Sequence, residues 1–160
     1  MRRWLLLLLA VIALSQGLGA AGWSFSLQVT DSMPKGLYLV RPAAAFQRGD
    51  IVLLDPPTAV APLMIGRGWL GADMKLLKPI AATAPDEVCL RDGQVHVNGR
   101  AVAPIFAVDR TNRPLPRLDL CRRLAAGEVF LLSTRTPYSF DSRYFGPVPV
   151  GALAGRAFAL

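Results

Sequence analysis

The sequence predicts a mainly β domain behind an apolar N-terminal segment. Thirteen prolines and 14 glycines punctuate 160 residues, a density that suits short strands and turns better than a helix bundle. The apolar runs between those residues are short and bounded by turn signals. The length corresponds to one domain with one core.

In chain order, the first element is "MRRWLLLLLAVIALSQGLGAAGW", with two arginines followed by an unbroken apolar run from Trp4 to Leu14. Residues 4–23 would reach about 30 Å as a helix, enough to span a bilayer. Residues 1–27 therefore read as a signal-anchor or transmembrane segment with Arg2 and Arg3 on the cytoplasmic side. "LGAAG" within it offers small residues at which a removable signal would be cut. The body is expected over residues 28–160. "KGLYLVRP" reads as a strand with a Pro stop, and "RGDIVLLDPP" as a turn, a β-rich run and a second stop. In "MKLLKPIAAT", Pro79 argues against a helix. "EVCLRDGQVHVNGRAV" carries Asp92-Gly93 and Asn98-Gly99 around an alternating stretch, a hairpin signature. "PIFAVDRTNRPLPRLDLCRRL" reads as a polar, Pro-broken excursion. "GEVFLLSTRTPYSFDSRYFGPVPVGALAGRAFAL" reads as a strand, a polar loop and a Gly/Pro-rich end.

The formal charge of +7 comes mostly from arginine. No nucleic-acid motif accompanies it, so nucleic acid is not an expected partner. Cys89 and Cys121 form no CxxC or Cys/His cluster, so no metal is expected. In an exported domain they would fit one disulfide, and in a reducing compartment two buried thiols.

Catalytic options narrow quickly. A Ser-His-Asp triad needs a histidine, and the single one, His96, sits on the polar side of a predicted hairpin strand. No carboxylate pair stands out for glycoside chemistry, and no phosphate-cradling Gly loop is present. A serine activated by lysine remains. Free lysine titrates near 10.4, so a lysine base must be desolvated toward about 7–8. Of Lys35, Lys75 and Lys78, Lys78 is the better candidate on local composition, with Leu76 and Leu77 before it and Ile80 to Ala82 after it. Lys35 lies in a solvated turn and Lys75 is close to Asp73. "TDSMPKGLY", residues 30–38, taken alone is a Pro-Gly turn that happens to hold Ser32.

Four segments in order resemble the boxes of the serine/lysine signal peptidases, the S26 family, and within it the TraF-type conjugative transfer peptidases. "TDSMPKGLY" follows the apolar segment and is similar to the Ser-Met-x-Pro box in its Ser-Met-Pro-x-Gly form. "GDIVLL" resembles the strand after it. "LKPIAATAPDEV" resembles the Lys-Arg-Val-x-Gly-x-Pro-Gly-Asp box, and "SFDSRYFGPV" the final box, the most specific of the four. The chain departs from the family at Pro79 in place of arginine. It departs again at Ala84-Pro85-Asp86 in place of Pro-Gly-Asp, and at Ser133-Thr134-Arg135-Thr136 in place of Gly-Asp-Asn-Arg. These departures point to a specialised relative rather than a general signal peptidase.

The resemblance implies a signal-peptidase-like β-rich catalytic domain on a membrane anchor. It assigns Ser32 as nucleophile, Lys78 as general base and Asp141 as a further catalytic-site residue. Ser139 would orient the lysine ammonium, and Thr30 would help the Ser32 N–H form the oxyanion hole, where one donor is worth about 3–4 kcal/mol. No cofactor is implied. The expected location is the inner membrane with the catalytic domain in the periplasm. The expected partner is an exported precursor, for the TraF-type relatives a pilin, cleaved and in some cases closed head to tail. The alternatives are a general type I signal peptidase and a non-catalytic exported β-domain of a secretion apparatus.

Overall fold

The computed structural model describes residues 21–160 together with Arg3, Trp4, Gly17 and Gly19. Most of the expected anchor lies outside the described residues. Among those described, no helix is long and apolar enough to cross a membrane.

Among the described residues, eleven strands form two antiparallel sheets: β1 Ser24–Gln28, β2 Gly36–Arg41, β3 Ile51–Leu54, β4 Leu76–Thr83, β5 Glu87–Arg91, β6 Gln94–Val97, β7 Arg100–Pro104, β8 Cys121–Arg123, β9 Glu128–Leu131, β10 Val148–Pro149 and β11 Leu153–Ala159. The larger sheet runs β1-β2-β11-β3-β4-β9-β10 and the smaller β7-β6-β5-β8. Two short helices, α1 Ala61–Gly66 and α2 Ser142–Phe145, pack beside the larger sheet. The mainly β expectation agrees with this architecture. Strand β1 already begins at Ser24, ahead of residue 28, where the sequence placed the start of the body.

The local reasons are visible. Asp92-Gly93 and Asn98-Gly99 all take positive φ, between 52° and 78°, as the turns joining β5 to β6 and β6 to β7 require. Strand β4 lies inside the larger sheet, paired with β3 on one side and β9 on the other. Its Leu76 and Ile80 join a core with Val52, Leu54, Phe140 and Tyr144, while Leu77 points to the opposite core with Met33, Tyr38 and Val40. This alternation puts Lys78 on the Leu76/Ile80 face. A third core of Val88, Val95, Val97 and Phe130 underlies the smaller sheet.

Strand β11 differs from the Gly/Pro-rich end read from the sequence. It runs between β2 and β3 in the larger sheet. Gly155 is what lets it fit, because a Cβ there would collide with the carbonyl of Arg41. The helices α1 and α2 were likewise not signalled; at six and four residues they are set by tertiary packing rather than by periodicity.

Candidate active site

Strand β1 ends at Gln28, and the chain turns through Thr30 and Ser32 before entering β2. Met33 anchors that turn in the core, and the Tyr38 hydroxyl donates to the Pro34 carbonyl at 2.9 Å. Ser32 itself is buried. Its Oγ lies 3.2 Å from Thr30 Oγ1 and 3.5 Å from Gln28 Nε2. Gln28 Nε2 also donates to the Thr30 carbonyl at 2.8 Å and to Thr30 Oγ1 at 2.7 Å. The Thr30 hydroxyl hydrogen is thereby left to point at Ser32 or at a bound oxygen. The Ser32 N–H donates to no group among the described residues.

Lys78 is 5% exposed. Its Nζ donates to Ser139 Oγ at 3.2 Å; no hydrogen bond joins it to Ser32 Oγ. Burial pushes its pKa down from 10.5 to about 8, against the pull of the Asp141 carboxylate and with a further push from the Arg143 guanidinium. The other lysines have salt partners and are exposed. Lys75 bonds Asp55 at 2.5 Å and Lys35 bonds Asp31 at 3.0 Å. Of the three, Lys78 alone is buried and has no carboxylate bonded to it among the described residues.

Asp141 is fully buried and pairs with the equally buried Arg143. Arg143 Nε donates to Oδ1 at 2.7 Å and Nη2 to Oδ2 at 3.0 Å. The remaining guanidinium hydrogens go to the carbonyls of Pro104, Pro137 and Ser133. All five donors of the arginine are used. Asp141 also caps α2 through the Arg143 N–H and accepts from the Ser133 N–H at 3.0 Å. It makes no hydrogen bond to Ser32 or Lys78, so it acts on the site through its charge and through the loop it holds.

Ser32, Thr30, Lys78 and Ser139 line one cavity of about 480 Å³ whose apolar wall includes Met64, Trp69, Leu70, Leu76, Phe140 and Tyr144. The volume is in the range of substrate pockets. Asp141 stands behind the wall. Cys89 and Cys121 lie elsewhere, directly paired across β5 and β8 and joined as a disulfide. His96 lies opposite Cys89 on β6, away from the cavity. Three residues in the site were not singled out from sequence: Gln28, Arg143 and Ser133. Arg143 was inside the most specific segment. Ser133 appeared only as a departure. Nothing in the sequence pattern marks Gln28.

The arrangement is a buried lysine with no carboxylate bonded to it and a serine whose N–H has no partner among the described residues, both lining one cavity with an apolar wall. Such a site suits nucleophilic acyl chemistry without a metal ligand set. Comparison with known proteins shows the family of the chain. The model of the family described as signal peptidase, peptidase S26, matches residues 1–160. A plasmid transfer protein TraF of Escherichia coli is 37% identical over 144 residues, covering 82% of this chain and 80% of that protein. A conjugal transfer protein TraF of Agrobacterium tumefaciens (strain 15955) is 36% identical over 173 residues, covering 98% of this chain and 94% of that protein. A crystal structure of a signal peptidase I from Enterococcus faecalis V583 overlaps 70% of this chain and 96% of its own, with 21% identity and a TM-score of 0.41. The chain belongs to the peptidase S26 family of signal peptidases.

Proposed function

We propose that this chain is a membrane-anchored serine endopeptidase in which Ser32 and Lys78 process an exported precursor. The observation that carries the reading is Lys78: a lysine with no carboxylate bonded to it, buried in the Ser32 cavity, aimed by Ser139 and brought to a pKa of about 8. In the neutral form, Nζ takes the proton from Ser32 Oγ as that oxygen attacks the peptide carbonyl. The contact tightens when substrate closes the pocket. The developing oxyanion is received by the free Ser32 N–H and by the Thr30 hydroxyl. The protonated amine then gives its proton to the leaving amine, and an acyl-enzyme on Ser32 remains. Water completes hydrolysis; an amino terminus of the precursor attacking the same ester closes a ring instead.

The substrate reading is a conjugative pilin precursor, supported by relatives named for plasmid and conjugal transfer. Placement at the inner membrane, with the catalytic domain in the periplasm, is supported by the Arg2-Arg3 apolar segment. The disulfide is a feature of oxidising compartments. The exposed Phe25, Leu27, Val29 and Leu37 beside the Ser32 turn further support contact with a bilayer interface.

Ser32→Ala and Lys78→Ala are expected to abolish precursor processing in cells while the proteins accumulate normally. Normal processing in both would leave the non-catalytic alternative. Cleavage of many unrelated precursors by the purified enzyme would favour a general signal peptidase. Mass spectrometry of the product separates the two acyl-enzyme fates, because a ring lacks one water.

A further inference from the structure

We infer that Ser133 is a positioning residue for the nucleophile, tying the carbonyl of Ser32 to the buried Asp141–Arg143 pair. The inference rests on the reading of Ser32 as the nucleophile. Ser133 lies just beyond β9 and is 1% exposed. Its Oγ donates to the Ser32 carbonyl across 101 residues of sequence. Its N–H donates to Asp141 Oδ2 at 3.0 Å, and its own carbonyl accepts from Arg143 Nη2 at 2.7 Å. All of its polar groups are thus committed, one side to the nucleophile and the other to the ion pair.

The Ser32 turn needs such a tie. It lies between strands, and the Ser32 N–H has no backbone partner. Besides the Ser133 bond, the turn is held by Met33 in the core, the Tyr38–Pro34 bond and the Gln28 amide. Those three act on the flanks and, through the Gln28 amide, on the Ser32 side chain. Among the described residues, only Ser133 hydrogen-bonds the backbone of Ser32. Because the peptide unit is planar, fixing that carbonyl fixes the Ser32–Met33 plane. Rotation about the Ser32 Cα is then limited, and both Oγ and the N–H keep their aim. The anchor does not yield, since every Arg143 donor is occupied. This also gives Asp141 a route to the reaction, through Ser133 rather than through contact with reacting atoms.

Ser133 does not line the cavity, so its loss touches the aim of the nucleophile and not substrate contacts. In the purified full chain, Ser133→Ala is expected to lower kcat about 10- to 100-fold with KM within about twofold, as for a misaimed reacting group. The probe is a fluorogenic peptide with alanines before the scissile bond. Ser133→Thr, which keeps the hydroxyl, is expected to recover most of that loss. Amide hydrogen exchange over residues 29–36 is expected to quicken about tenfold or more in Ser133→Ala, and this readout does not depend on peptidase activity. Unchanged exchange in that segment overturns the tie. Faster exchange with unchanged kcat, or a lowered melting temperature with unchanged kcat, overturns the positioning role. A Ser32→Ala enzyme as active as the wild type would instead refute the nucleophile, and the exchange data would still decide the tie.

Discussion

Replacing the buried Lys78 with an uncharged side chain should strengthen the fold. Lys78, Asp141 and Arg143 bring two basic groups and one acidic group together in a buried region, and the carboxylate is committed to Arg143. Lys78 is therefore a buried charge without a bonded counter-ion, which is what lowers its pKa from 10.5 to about 8. Below pH 8 both folded and unfolded chains hold this proton, and folding bears the whole desolvation cost of about 3 kcal/mol. Between pH 8 and 10.5 the unfolded chain binds more protons than the folded one, so the stability of the wild type rises across that window. Lys78→Met fills the same space without charge. It forfeits the bond to Ser139, worth about 1 kcal/mol, so the net gain at pH 7 is about 2 kcal/mol. For a domain of this size that is about 5–10 °C in melting temperature. Urea unfolding of both proteins at pH 7, 9 and 10.5 measures it. The variant should be more stable at pH 7, and its advantage should vanish by pH 10.5. A variant less stable than wild type at pH 7, or an advantage independent of pH, would refute the account of Lys78 as a desolvated cation.

Other outcomes follow from the same geometry. The pH profile of kcat/KM should rise through about pH 8 as Lys78 loses its proton; a profile already flat from pH 6 to 9 would exclude it as the base. Asp141→Asn turns a donor toward Arg143 and leaves that cation buried without its anion, at a cost of about 3–5 kcal/mol, read by chemical unfolding. Gly155→Ala forces a methyl into the Arg41 carbonyl and should cost about 1–3 kcal/mol; a melting temperature within a degree of wild type would contradict the close approach of β11 and β2.

Local chemistry made much of this fold readable. Asp92-Gly93 and Asn98-Gly99 specify their turns through φ, a property of two adjacent residues, and the strands around them follow. Lys78 stood out because desolvation, the cause of its shift, is written in its apolar neighbours. What escaped notice depends on distant partners. Strand β11 has little β-branched content and is a strand because β2 and β3 offer it a slot. Ser133 is unremarkable until the fold sets it against Ser32. Gln28 sits at the end of a strand, where only the return of the chain gives its amide a task. The rivalry of Lys75 was also local in appearance; Lys75 lines the same cavity, and it is the side chain of Asp55, 20 residues earlier, that holds its ammonium.

The place of β11 has a consequence for when the enzyme comes into being. Ser32 hangs from β1 and β2, and Lys78 rides on β4 beside β3; in the sheet, the two pairs meet only across β11. That strand is the last to be synthesised of the eleven. Until residues 153–159 are in place, no backbone ladder joins the ribbon that holds Ser32 to the one that holds Lys78, and the link between them rests on side chains, the Met33–Leu77 core and the Ser133 hydroxyl. On the Ser32–Lys78 reading proposed above, a chain that has not yet added β11 should be inactive, so activity should begin only when the last strand is in place.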